Sequence, residues 1–469
     1  MARDVSDETP IGSRDELVAW IEAGIKEPTE FRIGTEHEKI PFHLGSTSPV
    51  PFEGAGGRGG IEALLKGLQA RTGWAPIEDR GHLIGLFDEV GGGAISLEPG
   101  GQFELSGAPL ATVHETHDEL VRHLDDVTAV ARDLGIGFLD LGMSPLWTRG
   151  QTPVMPKQRY TIMANYMPRV GTMGLDMMFR TATVQANLDF ASEADMVTKL
   201  RVSLALQPVI TALFANSPFT EGAPNGFRSM RSNIWLHTDP DRTGMLPFAF
   251  EDGMGFERYV DYALDVPMYF VKRGDTYHDV AGADFKALLR GELPQMPGER
   301  ATLSDWANHL STIFPEVRLK RFLEMRGADM GPGAHVTALP ALCAGLFYDP
   351  QALDQAAQLV RPWTADERQA LRRAVPAQAL DATIGGRGLR SVARDVLTIA
   401  RGGLTRRNRR DERGDDESIY LESLERIVER GRTLAQDRLA QFEGAWGHSA
   451  THAFEACRLD ARSSAEVAA

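Results

Sequence analysis

The segment Phe31-Arg32-Ile33-Gly34-Thr35-Glu36-His37-Glu38-Lys39-Ile40-Pro41-Phe42 constrains this chain more than any other. Phe31, Ile33, Ile40 and Phe42 make it strand-like, and in an extended chain alternate side chains share a face. Glu36 and Glu38 therefore point the same way, with Arg32 and Gly34 beside them. Two adjacent carboxylates on one sheet face repel unless a cation lies between them. A Lys or Arg can be that cation, and the segment is then an ordinary surface strand. Mg²⁺, which prefers hard oxygen ligands, is the other solution.

More carboxylates follow on strand-like segments. Leu83 to Ser106 reads as strands broken at Gly91-Gly92-Gly93 and at Pro99-Gly100-Gly101. A Pro-Gly-Gly turn folds a strand back on itself, so Glu98 and Glu104 are expected on neighbouring strands near one end. A hairpin with solvated glutamates has the same spacing. Arg180 to Phe190 alternates strictly: Val184, Ala186, Leu188 and Phe190 on one face, Thr181, Thr183, Gln185, Asn187 and Asp189 on the other. So polar a face in mid-chain suggests the lining of a site, with solvent exposure as the plain alternative. Val317 to Gly327, read as one strand, puts Lys320, Phe322, Glu324 and Arg326 on one face. Glu324 and Arg326 could hold a metal and the phosphate it bridges, or only each other.

Helical patterns surround these strands. Ser13 and Glu16 suggest a capping box opening a helix to about Ile25. Thr112 to Leu134 is amphipathic and ends at Gly135. Asp195 to Asn216 is apolar enough to be buried, and from Ala338 onward the chain is alanine-rich and helical, with Ile419 to Gln441 among the clearest stretches. Phe138 to Met143 and Val266 to Lys272 read as short strands, and Arg406 to Glu417 as a solvated loop. Pro51 to Gly60 lacks the Gly-Lys-Ser/Thr ending of a phosphate loop and reads as a mobile connection. Strands and helices do not alternate regularly, so α+β with an antiparallel sheet is preferred to a doubly wound fold.

Composition excludes some classes. At 469 residues with a net charge of −15, the chain lacks the basic surface of a general nucleic-acid binder. Two cysteines, Cys343 and Cys457, exclude a disulfide scaffold and a cysteine zinc site. Met1 to Pro10 is acidic and polar, unlike a signal peptide, and no apolar run is expected to span a bilayer. A cytoplasmic location follows as the default.

Longer strings carry a resemblance. GTEHEK at Gly34–Lys39, SLEPGGQFELSGAPL at Ser96–Leu110, MFRTATVQANLDFASEADM at Met178–Met196 and ALQPVITALFANSPFTEG at Ala205–Gly222 resemble plant-type glutamate–cysteine ligases, a family also found in bacteria. MRSNIW, DRTGMLPF, YVDYALDVPMYFV and FPEVRLKRFLEMRGAD extend the match. It is close over roughly Thr29 to Asp349 and looser beyond.

The resemblance implies a glutamine-synthetase-like fold: a curved antiparallel sheet forming a funnel, with helices outside it. It implies one catalytic domain over 1–469, with a sheet-rich body over about 29–335 and a helical part over about 336–460. It implies ATP-dependent joining of the glutamate γ-carboxylate to the cysteine amine through γ-glutamyl phosphate, the first step of glutathione synthesis. Carried over by motif, Glu36, Glu38, Glu98, Glu104 and Glu324 would hold two or three Mg²⁺ ions. Lys157, Arg159 and Arg326 would bind ATP. Arg231, with Trp235, Gln185 and Asn187, would bind the amino acid, and Arg231 and Arg326 would act in catalysis. The partners are then glutamate, cysteine and ATP, with no nucleic acid or membrane, in a monomer or homodimer. The loops Gly54–Gly60 and Phe219–Gly226 are candidate lids over the acyl phosphate. Plant relatives carry two regulatory disulfides; the matching positions here are His117 with Thr337 and Val280 with Gln295, the latter in a hairpin-like stretch from Tyr277 to Pro297. None is cysteine. Three alternatives remain: a ligase using another amine, a guanidino kinase, and a silent nucleotide or glutamate sensor.

Overall fold

The computed structural model describes residues 7–459; Met1 to Ser6 of the acidic N-terminal stretch lie outside it. Its centre is a nine-stranded antiparallel sheet. The strands are β1 (Ile33–His43), β2 (Ala75–Asp79), β3 (His82–Phe87), β4 (Ala94–Leu97), β5 (Phe103–Ser106), β6 (Ile136–Leu139), β7 (Thr183–Leu188), β8 (Val317–Leu319) and β9 (Leu323–Asp329). They lie in the order β8-β9-β7-β1-β5-β4-β3-β2. At eleven residues β1 is long enough to serve twice. Its first half pairs with β5 and β7, and its second half with β6.

Register places the polar faces together. Glu38 lies opposite Glu104, and Glu104 opposite Ser96. Glu36 lies between Ser106 on one side and Gln185 on the other. Because the side-chain period of a strand is two, this one register turns every even-numbered residue of β1 from Gly34 to Glu38 toward the concave face. The odd-numbered ones turn back: Ile33, Thr35, His37 and Lys39 are buried. His37 packs edge-on to His123 of the Val113–Asp133 helix behind the sheet. The turn between β4 and β5 is as tight as Pro-Gly-Gly suggested. A Cβ at Gly100 would lie 2.2 Å from the Phe179 carbonyl oxygen, so the close approach requires glycine.

The structure alters several boundaries. Val317–Gly327 is a hairpin, β8 to β9, turning at Lys320–Phe322, with Arg318 opposite Glu324. A turn carrying neither Gly nor Pro leaves no breaker signal. Ser13 caps its helix only in part: Gly12 N–H and Ser13 Oγ reach the Glu16 carboxylate, but the Ser13 side chain caps no backbone N–H. The strand expected from Phe138 to Met143 is β6, shifted to Ile136–Leu139, and Val266–Lys272 shortens to Phe270–Arg273. The hairpin-like stretch from Tyr277 supplies one strand, Thr276–Asp279, and then a helix, Phe285–Arg290. Ile419–Gln441 is not one helix; it breaks at Gly431, which has positive φ. Glu417, assigned to a solvated loop, is fully buried, accepting from Val113 N–H and pairing with Arg407.

Beyond Gly333 the chain is helical apart from a small two-stranded turn at Thr383–Gly388. The Glu193–Leu213 helix is, against expectation, long and apolar enough to cross a membrane by length and composition. From Val202 to Leu213 every one of its residues is buried inside the fold, as a core helix requires.

Candidate active site

Two cavities open on the concave face. The first, about 130 Å³, is lined by the carboxylates of Glu36, Glu38, Glu98 and Glu104 and by the cations Arg231, Arg326, Lys157 and Arg159. The second is a more open cleft of about 330 Å³, with Phe87, Pro109 and Phe322 as apolar walls and Lys26 and Arg32 as cations. Glu36 borders both. The strands explain the division: on β7 Thr183 and Gln185 face the first cavity, whereas Asn187 and Asp189 beyond them face the second. The polar face of Arg180–Phe190 is a site lining and not a solvated surface.

Burial and crowding set the charge of the acidic side. Glu38 is pushed well above the usual carboxylate range, first by burial and then by Glu98 and Glu104, against the pull of Arg231 and Arg326. Glu104 is raised to about 7 by burial and by the charges of Glu98 and Glu36. Each carboxylate has a local donor. Asn187 Nδ2 lies 2.9 Å from Glu36, Thr183 N–H 3.1 Å from Glu38 and Ser96 Oγ 2.6 Å from Glu104. The Tyr160 hydroxyl is 3.3 Å from Glu98. These donors orient the oxygens without neutralising them, so the cluster suits a hard cation. Among the described residues, no three Asp, Glu, His or Cys side chains converge tightly enough to hold one ion between them.

Glu324 differs. It is fully buried, lines neither cavity, and is held by Arg318, Lys320 and Arg326 together. Arg318 grips it with two nitrogens, Nη2 at 2.7 and 2.8 Å and Nε at 3.2 Å. Burial alone would raise this carboxyl, but Arg318, Lys320 and Arg326 hold it well below the usual range. The salt-bridge alternative describes it, because three cations occupy the oxygens a metal would need.

The basic side is built on the Gln158–Val170 helix and on the short Met230–Trp235 helix, neither anticipated as a helix from sequence. Arg231 is 3% exposed, and its Nη2 donates to the Arg326 carbonyl at 3.0 Å. Arg231 and Arg326 both stack near Trp235, at 5.9 and 5.7 Å from the ring centre. Arg231 Nε and Trp235 Nε1 are buried donors without an acceptor in the protein. Buried donors are normally satisfied, so these two point to an acceptor on a ligand. Arg326 also donates to Gln185 Oε1 at 2.6 Å.

Of the expected residues, all but Glu324 and Asn187 meet in the first cavity; Asn187 faces the second and reaches Glu36. Tyr160, Arg318, Phe314 and the pair Met177 and Met178 also line the first and were not singled out. Neither candidate lid, Gly54–Gly60 nor Phe219–Gly226, borders either cavity.

The glutamate–cysteine ligase family 2 model matches residues 32–456. The chain belongs to the glutamate–cysteine ligase family. Its activity is the ATP-dependent joining of glutamate and cysteine to γ-glutamylcysteine, in glutathione synthesis. The chloroplastic glutamate–cysteine ligases of Arabidopsis thaliana and Medicago truncatula are each 52% identical over 443 residues, covering 94% of this chain and 82% and 84% of theirs. A Francisella tularensis glutamate–cysteine ligase solved with AMP shares the fold, with TM-score 0.54, 12% identity and coverage of 94% of this chain and 90% of that one. The antiparallel sheet with outer helices is thus the glutamine-synthetase-like fold of these ligases. One expectation is corrected: the plant relatives are named chloroplastic, which overturns the default of a cytoplasmic location. At the positions that the resemblance matches to one plant cysteine pair, His117 Nδ1 and Thr337 Oγ1 lie 3.4 Å apart and share a hydrogen bond in place of a covalent bridge.

Proposed function

We propose that the concave face is one reaction channel, entered by nucleotide from one end and by amino acids from the other. The observation that carries this reading is that Glu36 borders both cavities. The apolar cleft between Phe87, Pro109 and Phe322 suits a nucleoside, with Lys26 and Arg32 placed for its phosphates. The first cavity takes glutamate and cysteine. Arg231, with its buried unpaired Nε beside Trp235, receives the glutamate α-carboxylate. Lys157 and Arg159, matched to ATP by resemblance, lie at this end and are assigned to the amino acids, with Gln185. Arg326, between Gln185 and Glu324, faces the phosphoryl group in transfer.

Glu36, Glu38, Glu98 and Glu104 fit Mg²⁺: they form a hard, oxygen-only set in which burial and crowding raise Glu38 and Glu104. Glu324 does not fit, for the reason given above. Bound there, Mg²⁺ would supply the charge neutralisation that lets a triphosphate approach a carboxylate. The residues do the positioning. The γ-carboxylate attacks the terminal phosphorus, ADP leaves, and the cysteine amine displaces phosphate from the acyl phosphate. Holding reactants in line and stabilising developing charge are the main protein contributions to such transfers. No protein nucleophile is needed, in keeping with two cysteines that are both buried.

The test is an assay of ADP and peptide with each substrate omitted in turn. ADP release should require glutamate, cysteine and Mg²⁺ together. ADP formed with neither amino acid present would overturn the reading, and preference for another amine would overturn the assignment of cysteine.

A further inference from the structure

The Met230–Trp235 helix carries Arg231 and Trp235 into the site, yet six residues do not hold a helix in place by themselves. Its position comes from a buried network outside the cavity. Asp329, at the end of β9 and 1% exposed, accepts from Asn216 N–H at 2.9 Å and Ser217 Oγ at 2.7 Å through one oxygen, and from Ser229 Oγ at 2.8 Å through the other. Both hydroxyls pass the constraint on. Ser217 Oγ accepts from the Arg231 backbone N–H at 3.1 Å. Ser229 Oγ caps the helix by accepting from Ser232 N–H at 3.0 Å.

The helical C-terminal part grips the same helix from its other side. The Pro376 carbonyl accepts from Arg228 N–H at 2.8 Å and Ser229 N–H at 3.0 Å. Arg372, 3% exposed, donates to the Ser232 hydroxyl and carbonyl at 3.0 and 3.2 Å and pairs with Glu316 at 2.5 Å. The Glu316 carbonyl in turn accepts from Arg326 N–H at 3.3 Å. Asp329 does not line the cavity, and Arg372 faces only a small crevice behind it.

We infer that Asp329 and Arg372 are positioning residues that fix the aim of Arg231, so that recognition of the substrate carboxylate depends on β9 and on the C-terminal helices. This rests on the reading of Arg231 as the glutamate anchor. Of the carboxylates around the buried Arg231 guanidinium, Asp329 acts on its charge most strongly, ahead of Glu38 and Glu316.

The experiment is a double-mutant cycle on the full-length enzyme, reading KM for glutamate and for ATP. Asp329→Asn keeps the shape and removes the charge. It should raise the glutamate KM about tenfold, the effect of weakening hydrogen bonds to a charged group, while the ATP KM stays within about twofold. Added to Arg231→Ala, it should raise the glutamate KM no further. A merely structural role would move both KM values, or add fully to Arg231→Ala. Ser229→Ala, which removes one hydroxyl, should reproduce the selective rise even if Asp329→Asn folds poorly. If Arg231→Ala raises the glutamate KM but Asp329→Asn and Ser229→Ala do not, the positioning role is overturned and the anchor stands. If Arg231→Ala leaves the glutamate KM unchanged, the anchor reading falls and the positioning role falls with it.

Discussion

Glu104→Gln should make the metal-free protein more stable while abolishing its activity. The wild-type carboxyl is 5% exposed and raised from 4.5 to about 7 by burial and by Glu98 and Glu36. A group whose folded-state affinity for the proton exceeds its unfolded one gains protons on folding. Stability from this group is therefore highest below about pH 4.5, falls as pH rises, and is fully lost above about 7. At about 1.4 kcal/mol per unit, the penalty at pH 8 is about 3 kcal/mol, spread over a coupled cluster. Gln keeps the shape and removes the penalty. The Ser96 bond of 2.6 Å is already counted in that shift. The net gain is about 3 kcal/mol at pH 8 and near zero at pH 4.5. Urea unfolding in the presence of a chelator, at both pH values, measures it. Excess Mg²⁺ should narrow the difference by stabilising the wild type. A loss of stability at pH 8, or a gain equal at both pH values, would refute the account of a strained carboxylate cluster.

Other outcomes follow from the same geometry. Glu36→Gln and Glu38→Gln should fold normally and lose activity by orders of magnitude at saturating Mg²⁺; near wild-type turnover would return both to ordinary sheet residues. Glu324→Gln should instead destabilise the protein by about 3 kcal/mol or more, since it removes the one carboxylate shared by the buried Lys320 and by Arg318 and Arg326, and a thermal melt should show it. Activity should be insensitive to dithiothreitol, because Cys343 and Cys457 are buried and burial pushes both thiols up, away from the reactive thiolate. A reversible, severalfold loss on reduction would contradict that.

Much of this site was legible because strand alternation is a strong local signal. Glu36 with Glu38, Glu98 with Glu104, and the Thr181–Asp189 face could each be placed from period two and one glycine turn. Glu324 could not. Its role turns on whether Val317–Gly327 runs straight or folds back, and the turn at Lys320–Phe322 contains no residue that marks it. Once folded back, Arg318 arrives opposite Glu324 and the carboxylate becomes the centre of an ion-pair cluster. The Met230–Trp235 helix was missed because it is held by Asp329, Pro376 and Arg372, residues about 100 to 150 positions away that no local pattern reveals.

The most direct measurement follows oxygen from glutamate. If the γ-carboxylate and the ATP terminal phosphate meet beside Glu36 at the junction of the two cavities, glutamate labelled with ¹⁸O in its γ-carboxylate should deliver one labelled oxygen to each phosphate released, read by mass spectrometry alongside γ-glutamylcysteine. Labelled peptide with unlabelled phosphate would contradict it, because the two substrates would then not have reacted with each other in that channel.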